Sequence, residues 1–426
     1  MNRSERVSRK EKYGHKKTKD QKFKKNGKPK MRLWKKLLIS ALVTVLLLAG
    51  AVFAYATIVL NRTETVMKTT FSDLGLKSSK KSDDIIKATK PLTVLLMGVD
   101  TGDGARTDLW SGQSDTMIVM TINPKTNTTT MVSLERDMLT DIVDKDGNVT
   151  DTAKLNAAYA GGGAVSAVAT IQQQIGLDID KYALINMNGL KDLVDAVGGI
   201  EVNNTLGATI SIEETEPDYT ATVEPGKQHI NGDQALVYAR MRHQDPEGDI
   251  GRQARQREVI GQIVGKILSL NSVTKYEKIL QAISGNMKTD FAVTGDSLKS
   301  LLGYKDAFQK MRSIKLQGIG EMINGGSYQV MPAKNLLSVQ NALRLSLGKP
   351  TIDSLSPQII TFENYYGGYA ANAITPTVTT TVNGKSTEKL LLKDGTESET
   401  EKPTAASDSD ATSEQQYDAY GNPISQ

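Results

Sequence analysis

The 426-residue chain has no cysteine. That absence excludes a disulfide framework, a cysteine zinc site, an iron–sulfur cluster and a thiol nucleophile. It has three histidines, His15, His229 and His243, too few to favour a multi-histidine metal site or a histidine-centred proton relay. Aromatic residues make up 5% of the chain and the mean hydropathy is −0.34, which excludes a protein with many membrane spans. No P-loop, Ser-His-Asp arrangement or glycosidase carboxylate pair is evident.

What the chain does have is charge sharply divided along its length. Residues 1–36 carry 16 Lys and Arg against three acids, Glu5, Glu11 and Asp20. After residue 60 there are 36 basic residues against 45 acidic ones. Between the two, Leu37 to Leu60 is a run of 24 residues without a charge. Such a helix crosses a hydrocarbon core of ~30 Å with some tilt. The basic flank places the N-terminus in the cytoplasm and the remainder outside the cell. A cleavable signal peptide is the competing reading, but its apolar core would be ~7–15 residues long and end in a small-x-small site. Here the run is longer and leaves through Ile58-Val59-Leu60-Asn61. Nucleic-acid binding by the basic tail is disfavoured, because no aromatic residues form a platform there; lysines beside a membrane set topology and touch anionic lipid.

Residues 61–90 are polar and read as an extracellular stalk. The main domain runs over 91–350. Its opening run, Leu92 to Gly98, is continuously apolar and bounded by Pro91, as in a strand buried on both faces. Residues 116–122 and 129–134 repeat that texture across a turn-rich Asn123–Asn127 link, and 182–187 reads as a further strand. Helical periodicity covers 154–175, 188–197, 231–241, 250–270, 275–285, 295–312 and 333–346. Strands interleaved with helices predict a layered α/β domain with a mixed sheet. Residues 351–383 form a C-terminal extension. From 384 to 426 the chain is rich in Ser, Thr and acids, and disorder is expected.

Three clusters carry candidate chemistry. Asp100 ends the first strand and Asp115 begins the next, so antiparallel pairing brings them together. Two carboxylates suit Mg²⁺ (or Mn²⁺), which fills its remaining positions with water and substrate phosphates; a plain acidic Gly/Asp turn is the bland alternative. Glu135-Arg136-Asp137 closes the third strand, where α/β proteins place ligands, although an adjacent Arg–Asp pair is often structural. The third cluster runs from Tyr238 to Arg257, with Arg240, Arg242, His243, Asp245, Asp249, Arg252, Arg255 and Gln256. Arg252, Arg255 and Gln256 are spaced i, i+3, i+4 and share a helix face. Guanidinium forks bind phosphate bidentately; a solvated basic helix is the alternative. Arginines beside a carboxylate-bound metal would form a pyrophosphate clamp, with His243 as a structural or phosphate-contacting residue.

Taken together, LLMGVD (95–100), SDTM (114–117), ERD (135–137) and the arginine-rich stretch 238–257 resemble the LytR-CpsA-Psr family, and most closely its LytR-type members. The resemblance covers about Thr93 to Arg257, with the motifs in family order. It implies an α/β/α fold with a hydrophobic pocket for a polyprenyl tail. It also implies transfer of an anionic glycopolymer, such as wall teichoic acid or capsular polysaccharide, from undecaprenyl pyrophosphate to a muramic acid hydroxyl of peptidoglycan. By motif, Asp100 and Asp115 would hold Mg²⁺, and Arg136, Arg240, Arg242, Arg252 and Arg255 would contact the pyrophosphate with Gln256 nearby. Asp249 would orient arginines or assist the acceptor, and either Asp137 or Asp249 would take the acceptor proton. The family often has Arg where this chain has Gln113, leaving Arg106 as the candidate for the missing charge. The 14-residue loop between the two aspartates makes Asp103 an alternative to Asp100. Two other function classes stay open: a membrane-anchored regulatory protein that binds lipid-linked polymer, and a lipid pyrophosphatase.

Overall fold

The computed structural model describes residues 71–72, 74, 86, 89–102, 108–268, 279, 281–291, 300, 303–382 and 384–401. The basic tail, the apolar run 37–60, most of the stalk, Asp103, Arg106, residues 275–278 and 280, and residues 402–426 lie outside them. Among the described residues no helix is long and apolar enough to cross a membrane.

The chain enters the domain as β1 (Leu92–Val99), which pairs antiparallel with β2 (Ser114–Asn123); β2 pairs antiparallel with β3 (Thr128–Ser133). A separate hairpin, β4 (Leu139–Val143) and β5 (Val149–Lys154), precedes α1 (Ala157–Ile175). The chain then returns as β6 (Lys181–Ile185), parallel to β1 on its free side. Next come α2 (Met187–Ala196), the hairpin β7 (Ile200–Asn204) and β8 (Gly226–Ile230), α3 (Gly232–Arg240) and α4 (Asp249–Leu268). β9 (Met287–Thr289) closes one edge against β6, and β10 (Lys310–Lys315) lies parallel to β3. The hairpin β11 (Ile319–Ile323) and β12 (Gly326–Val330) leads to α5 (Ala333–Ser346) and the short α6 (Phe362–Tyr366). β13 (Thr377–Val382), β14 (Lys385–Leu391) and β15 (Glu397–Glu401) extend the sheet from β10. The sheet order is β15-β14-β13-β10-β3-β2-β1-β6-β9, a mixed sheet as the pattern predicts.

Both faces are covered, which is why β1 reads as one apolar run instead of an alternation. Leu95, Met97 and Val99 pack on one side with Ile171 and Ile175 of α1 and Val339 and Leu343 of α5. Leu92, Val94 and Leu96 point the other way, toward Ile118, Met120 and Ile260 of α4. A third cluster joins α2, α3, the β7–β8 hairpin and the inner face of α4, through Val194, Ile200, Ile230, Tyr238, Val259 and Ile263.

Two expectations fail on the C-terminal side. Within 295–312 the described residues 303–312 hold a 3-10 turn at Lys305–Phe308 and the start of β10, so the helical reading fails there. That strand is flanked by β3 and β13, and its Ile314 is fully buried, so pairing partners distant in sequence override local helical texture. Disorder from 384 is likewise wrong up to residue 401: β14 pairs with β13, β15 pairs with β14 across an irregularity at Lys389–Leu391, and Leu391 with Val378 enters the main core. Ladder hydrogen bonds need no apolar side chains, and one buried leucine fixes the register. The boundary at 350 therefore separates nothing, because β13 completes the sheet that β1 begins.

Candidate active site

The site forms where β1 and β2 separate. Val99 pairs with Ser114 after a bulge at Gly98, so Asp100 and Asp115 leave neighbouring strand ends, as antiparallel pairing requires. The Asp100 amide donates to Gln113 O at 3.3 Å and its carboxylate accepts from the Gln113 amide at 3.1 Å. Gly112 permits this approach: a Cβ there would lie 2.7 Å from Asp100 Oδ1. Asp115 Oδ2 accepts from Arg136 Nη1 at 2.7 Å, while its Oδ1 is buried without a partner. A buried, unpartnered carboxylate oxygen next to a second carboxylate fits a hard divalent cation. Among the described residues no cluster of three His, Cys, Asp or Glu is present. Gln113 holds a fixed position, its side-chain Oε1 accepting from Asn156 Nδ2 at 2.9 Å.

Arginines converge on Asp115 from two elements. Arg136, at the end of β3, also faces Asp137 at 3.5 Å, and Lys154 of β5 holds Asp137 from the far side at 2.7 Å. Arg252, in the first turn of α4, donates through Nη1 to Asp115 O at 3.2 Å and pairs with Asp249 one turn earlier, at 2.7 Å. Burial opposes charge on Arg136, yet the carboxylates of Asp115, Asp137 and Asp249 outweigh it and strengthen its hold on the proton. Burial likewise opposes ionisation of Asp249, but Arg252, Gln253 and Arg136 together hold its pKa below the usual carboxylate value. Arg240, ending α3, forks onto Glu216 and lies 5.0 Å from the Tyr219 ring centre.

A cavity of about 960 Å³ opens from this head region. Asp100, Asp115, Arg136, Arg240, Arg242, Arg252 and Gln256 are among its lining residues. So are Leu190 and Leu193 of α2, Leu236 of α3, and Val259, Ile263 and Ile267 of α4. One stripe of α4 thus passes from Arg252 and Gln256 to Val259, Ile263 and Ile267, at steps of three and four residues. Polar head and greasy floor follow each other along about 22 Å of one helix.

The same motif also contains residues the cavity does not use. Arg255 is buried with its Nε on Tyr238 O (2.9 Å) and its Nη atoms on Asp245 and Met241 O, so it pins the turn between α3 and α4. The shared face read from its spacing brings Gln256, not Arg255, to the cavity. Asp137 and Asp249 stand behind the arginines and are not among the lining residues. Arg242 and His243 are exposed at the rim, 3.4 Å apart. Sequence reasoning missed Lys154, Glu216 and Tyr219, which reach the site from distant segments; only sheet and loop topology could reveal them. It also passed over Glu135, whose burial pushes its carboxyl up to about 8, eased by the Gly318 amide and reinforced by Asp249 and Asp137.

Known proteins match this chain over most of its length. The LytR_cpsA_psr family model matches residues 56–345. Biofilm regulatory protein A of Streptococcus mutans is 50% identical over 345 residues, covering 79% of this chain and 84% of that protein. The polyisoprenyl-teichoic acid–peptidoglycan teichoic acid transferase TagU of Enterococcus faecalis is 47% identical over 272 residues, 64% of this chain and 85% of the relative. A crystal structure of a Streptococcus agalactiae protein superposes with a TM-score of 0.62 at 51% identity, covering 66% of this chain and 96% of that one.

Proposed function

This chain belongs to the LytR-CpsA-Psr family, and from that premise we propose that it transfers an anionic glycopolymer, wall teichoic acid or a capsular polysaccharide, from a polyprenyl-pyrophosphate carrier to peptidoglycan. The observation that carries the reading is the cavity whose lining changes from arginine to isoleucine along α4. A lipid pyrophosphate has the same polarity: a doubly phosphorylated head and an isoprenoid tail. The name of the Enterococcus faecalis relative supports the same class of reaction.

In the reaction an acceptor hydroxyl attacks the phosphorus that bears the glycan. The bond from that phosphorus to the bridging oxygen breaks, a phosphodiester forms, and polyprenyl phosphate departs with the electron pair. Such a loose transition state needs charge placement more than covalent chemistry. Arg136, Arg240 and Arg252 spread positive charge over the phosphate oxygens, with Arg242 and Gln256 contacting the donor at rim and wall. Asp249, held ionised among arginines, is a weak base and serves to orient Arg252. Asp137, the carboxylate next to Arg136, is assigned to receive the acceptor proton, with Lys154 and Arg136 holding it in place. Asp100 and Asp115 would hold Mg²⁺ (or Mn²⁺), which supplies further neutralisation of the pyrophosphate when bound. Residues 37–60 anchor the chain by one membrane-crossing helix, with 1–36 in the cytoplasm and the domain outside.

The test uses full-length chain, a radiolabelled lipid-pyrophosphate donor and purified peptidoglycan. Wild type is expected to deposit label in peptidoglycan, and Arg240→Ala to lower the rate about 10²-fold or more while still folding. Full activity in that variant removes the clamp. Tight donor binding without any transfer favours the regulatory reading, and release of label only to water favours a pyrophosphatase.

A further inference from the structure

The segment after α5 carries an exposed aromatic surface that the donor site does not use. Tyr365 and Tyr366 are each 44% exposed and Tyr369 is 86% exposed, three large rings within five residues of a chain with few aromatics. Solvent-facing rings in such a group mark a contact surface. They are also held in place. Thr361 and Asn364 form a capping box on α6, Gly367 ends it in the left-handed conformation, and the Phe362 amide donates to Met331 O at 2.9 Å. Tyr365 and Tyr366 meet edge to face with centroids 4.9 Å apart.

The surface is continuous with the reaction centre. The Glu321 carboxylate lies close enough to the Tyr366 phenol to disfavour its ionisation, an effect second to burial. Glu321 pairs across the hairpin with Tyr328, so both side chains share one face. The Lys154 ammonium lies 5.5 Å from the Tyr328 ring centre and bonds Asp137 at 2.7 Å. The backbone follows the same route, the Gln329 amide donating to Asp137 O at 2.9 Å.

We infer that Tyr365, Tyr366 and Tyr369 form a stacking platform for the sugar rings of the peptidoglycan acceptor, leading the glycan strand past Tyr328 to Asp137. This rests on the transferase reading above. A pyranose presents a face of C–H bonds with slight positive charge, which suits the negative face of a tyrosine ring. Its hydroxyls meet the phenol groups and Glu321 at the edges. The Glu321 carboxylate beside Tyr366 disfavours an anionic polymer on this surface, so the uncharged glycan backbone is the occupant and the phosphate-bearing donor is not. The two substrates therefore reach Arg136 and Asp137 by separate routes.

The test compares full-length wild type with Tyr365→Ala/Tyr369→Ala and Tyr365→Trp/Tyr369→Trp. Binding to insoluble peptidoglycan stripped of attached polymer is measured by co-sedimentation, and transfer kinetics are measured with the lipid donor. The double alanine variant is expected to bind peptidoglycan about tenfold more weakly and to raise its KM about as much, with kcat and the donor KM unchanged. The double tryptophan variant is expected to restore both, since it keeps the ring and discards the hydroxyl. Unchanged peptidoglycan binding in the alanine variant overturns the proposal. So does a loss of self-association with peptidoglycan binding intact, which would make the surface a contact between copies. A wild type that binds peptidoglycan through these tyrosines yet transfers nothing keeps the platform and removes the transferase reading. Normal transfer with an unaltered acceptor KM in the alanine variant does the reverse.

Discussion

Arg252 and Arg255 stand one helical turn apart on α4 and do opposite work. Arg252 reaches the cavity wall, where it touches Asp115 O and Asp249 and leaves donor capacity toward a ligand. Arg255 spends its fork on Tyr238 O, Met241 O and Asp245, inside the turn that joins α3 to α4. Two residues on, Arg257 is buried between α4 and the sheet on the hydroxyls of Ser133 and Ser313, and burial lowers it to about 10. A run of arginines is thus no measure of how much positive charge a ligand meets. What decides is whether protein acceptors use up the guanidinium inside the fold or leave it lining the cavity.

The largest expected effect tests that division. Arg255→Ala strands the Asp245 carboxylate in the interior and should cost about 3–5 kcal/mol of stability, read by chemical denaturation. A variant of unchanged stability that has lost transfer would place Arg255 with the ligand after all. Smaller in free energy is Arg252→Lys. A lysine cannot span Asp249 and Asp115 O together, so kcat/KM for transfer should fall about 10²-fold with stability within about 1 kcal/mol of wild type. The smallest concerns Glu135, beneath both groups. Folding raises its pKa, so its native form keeps a proton that the unfolded chain releases above about 4.5. Its contribution is complete below that pH and lost as pH climbs through about 8. Glu135→Gln should flatten this part of the stability profile, measured as Tm from pH 5 to 8.

Local pattern carried much of the fold. β1, β2, β3 and α5 lie close to where apolar runs and periodicity place them, because both faces of the central strands are buried and α5 is buried all round over Asn335–Leu343. β10, β14 and β15 were illegible, since their stability comes from neighbours far along the chain. The site divides in the same way. Strand ends foretold that Asp100 and Asp115 would leave neighbouring strands, and helix spacing foretold Arg252 with Gln256. Nothing local distinguishes the cavity-facing Arg252 from the latched Arg255, or tells that Lys154 sits behind Asp137. Those facts are decided by which carbonyls and carboxylates tertiary packing brings within reach.

The strands after residue 376 have a practical consequence for anyone shortening the chain. The family match stops at 345, but β13 covers β10 along its whole length. A fragment trimmed near that limit would bare the amides and carbonyls of β10 beside Ile314 and invite strand-to-strand association between molecules. Insolubility of such a fragment would reflect where the cut was made, not a defect in the catalytic core.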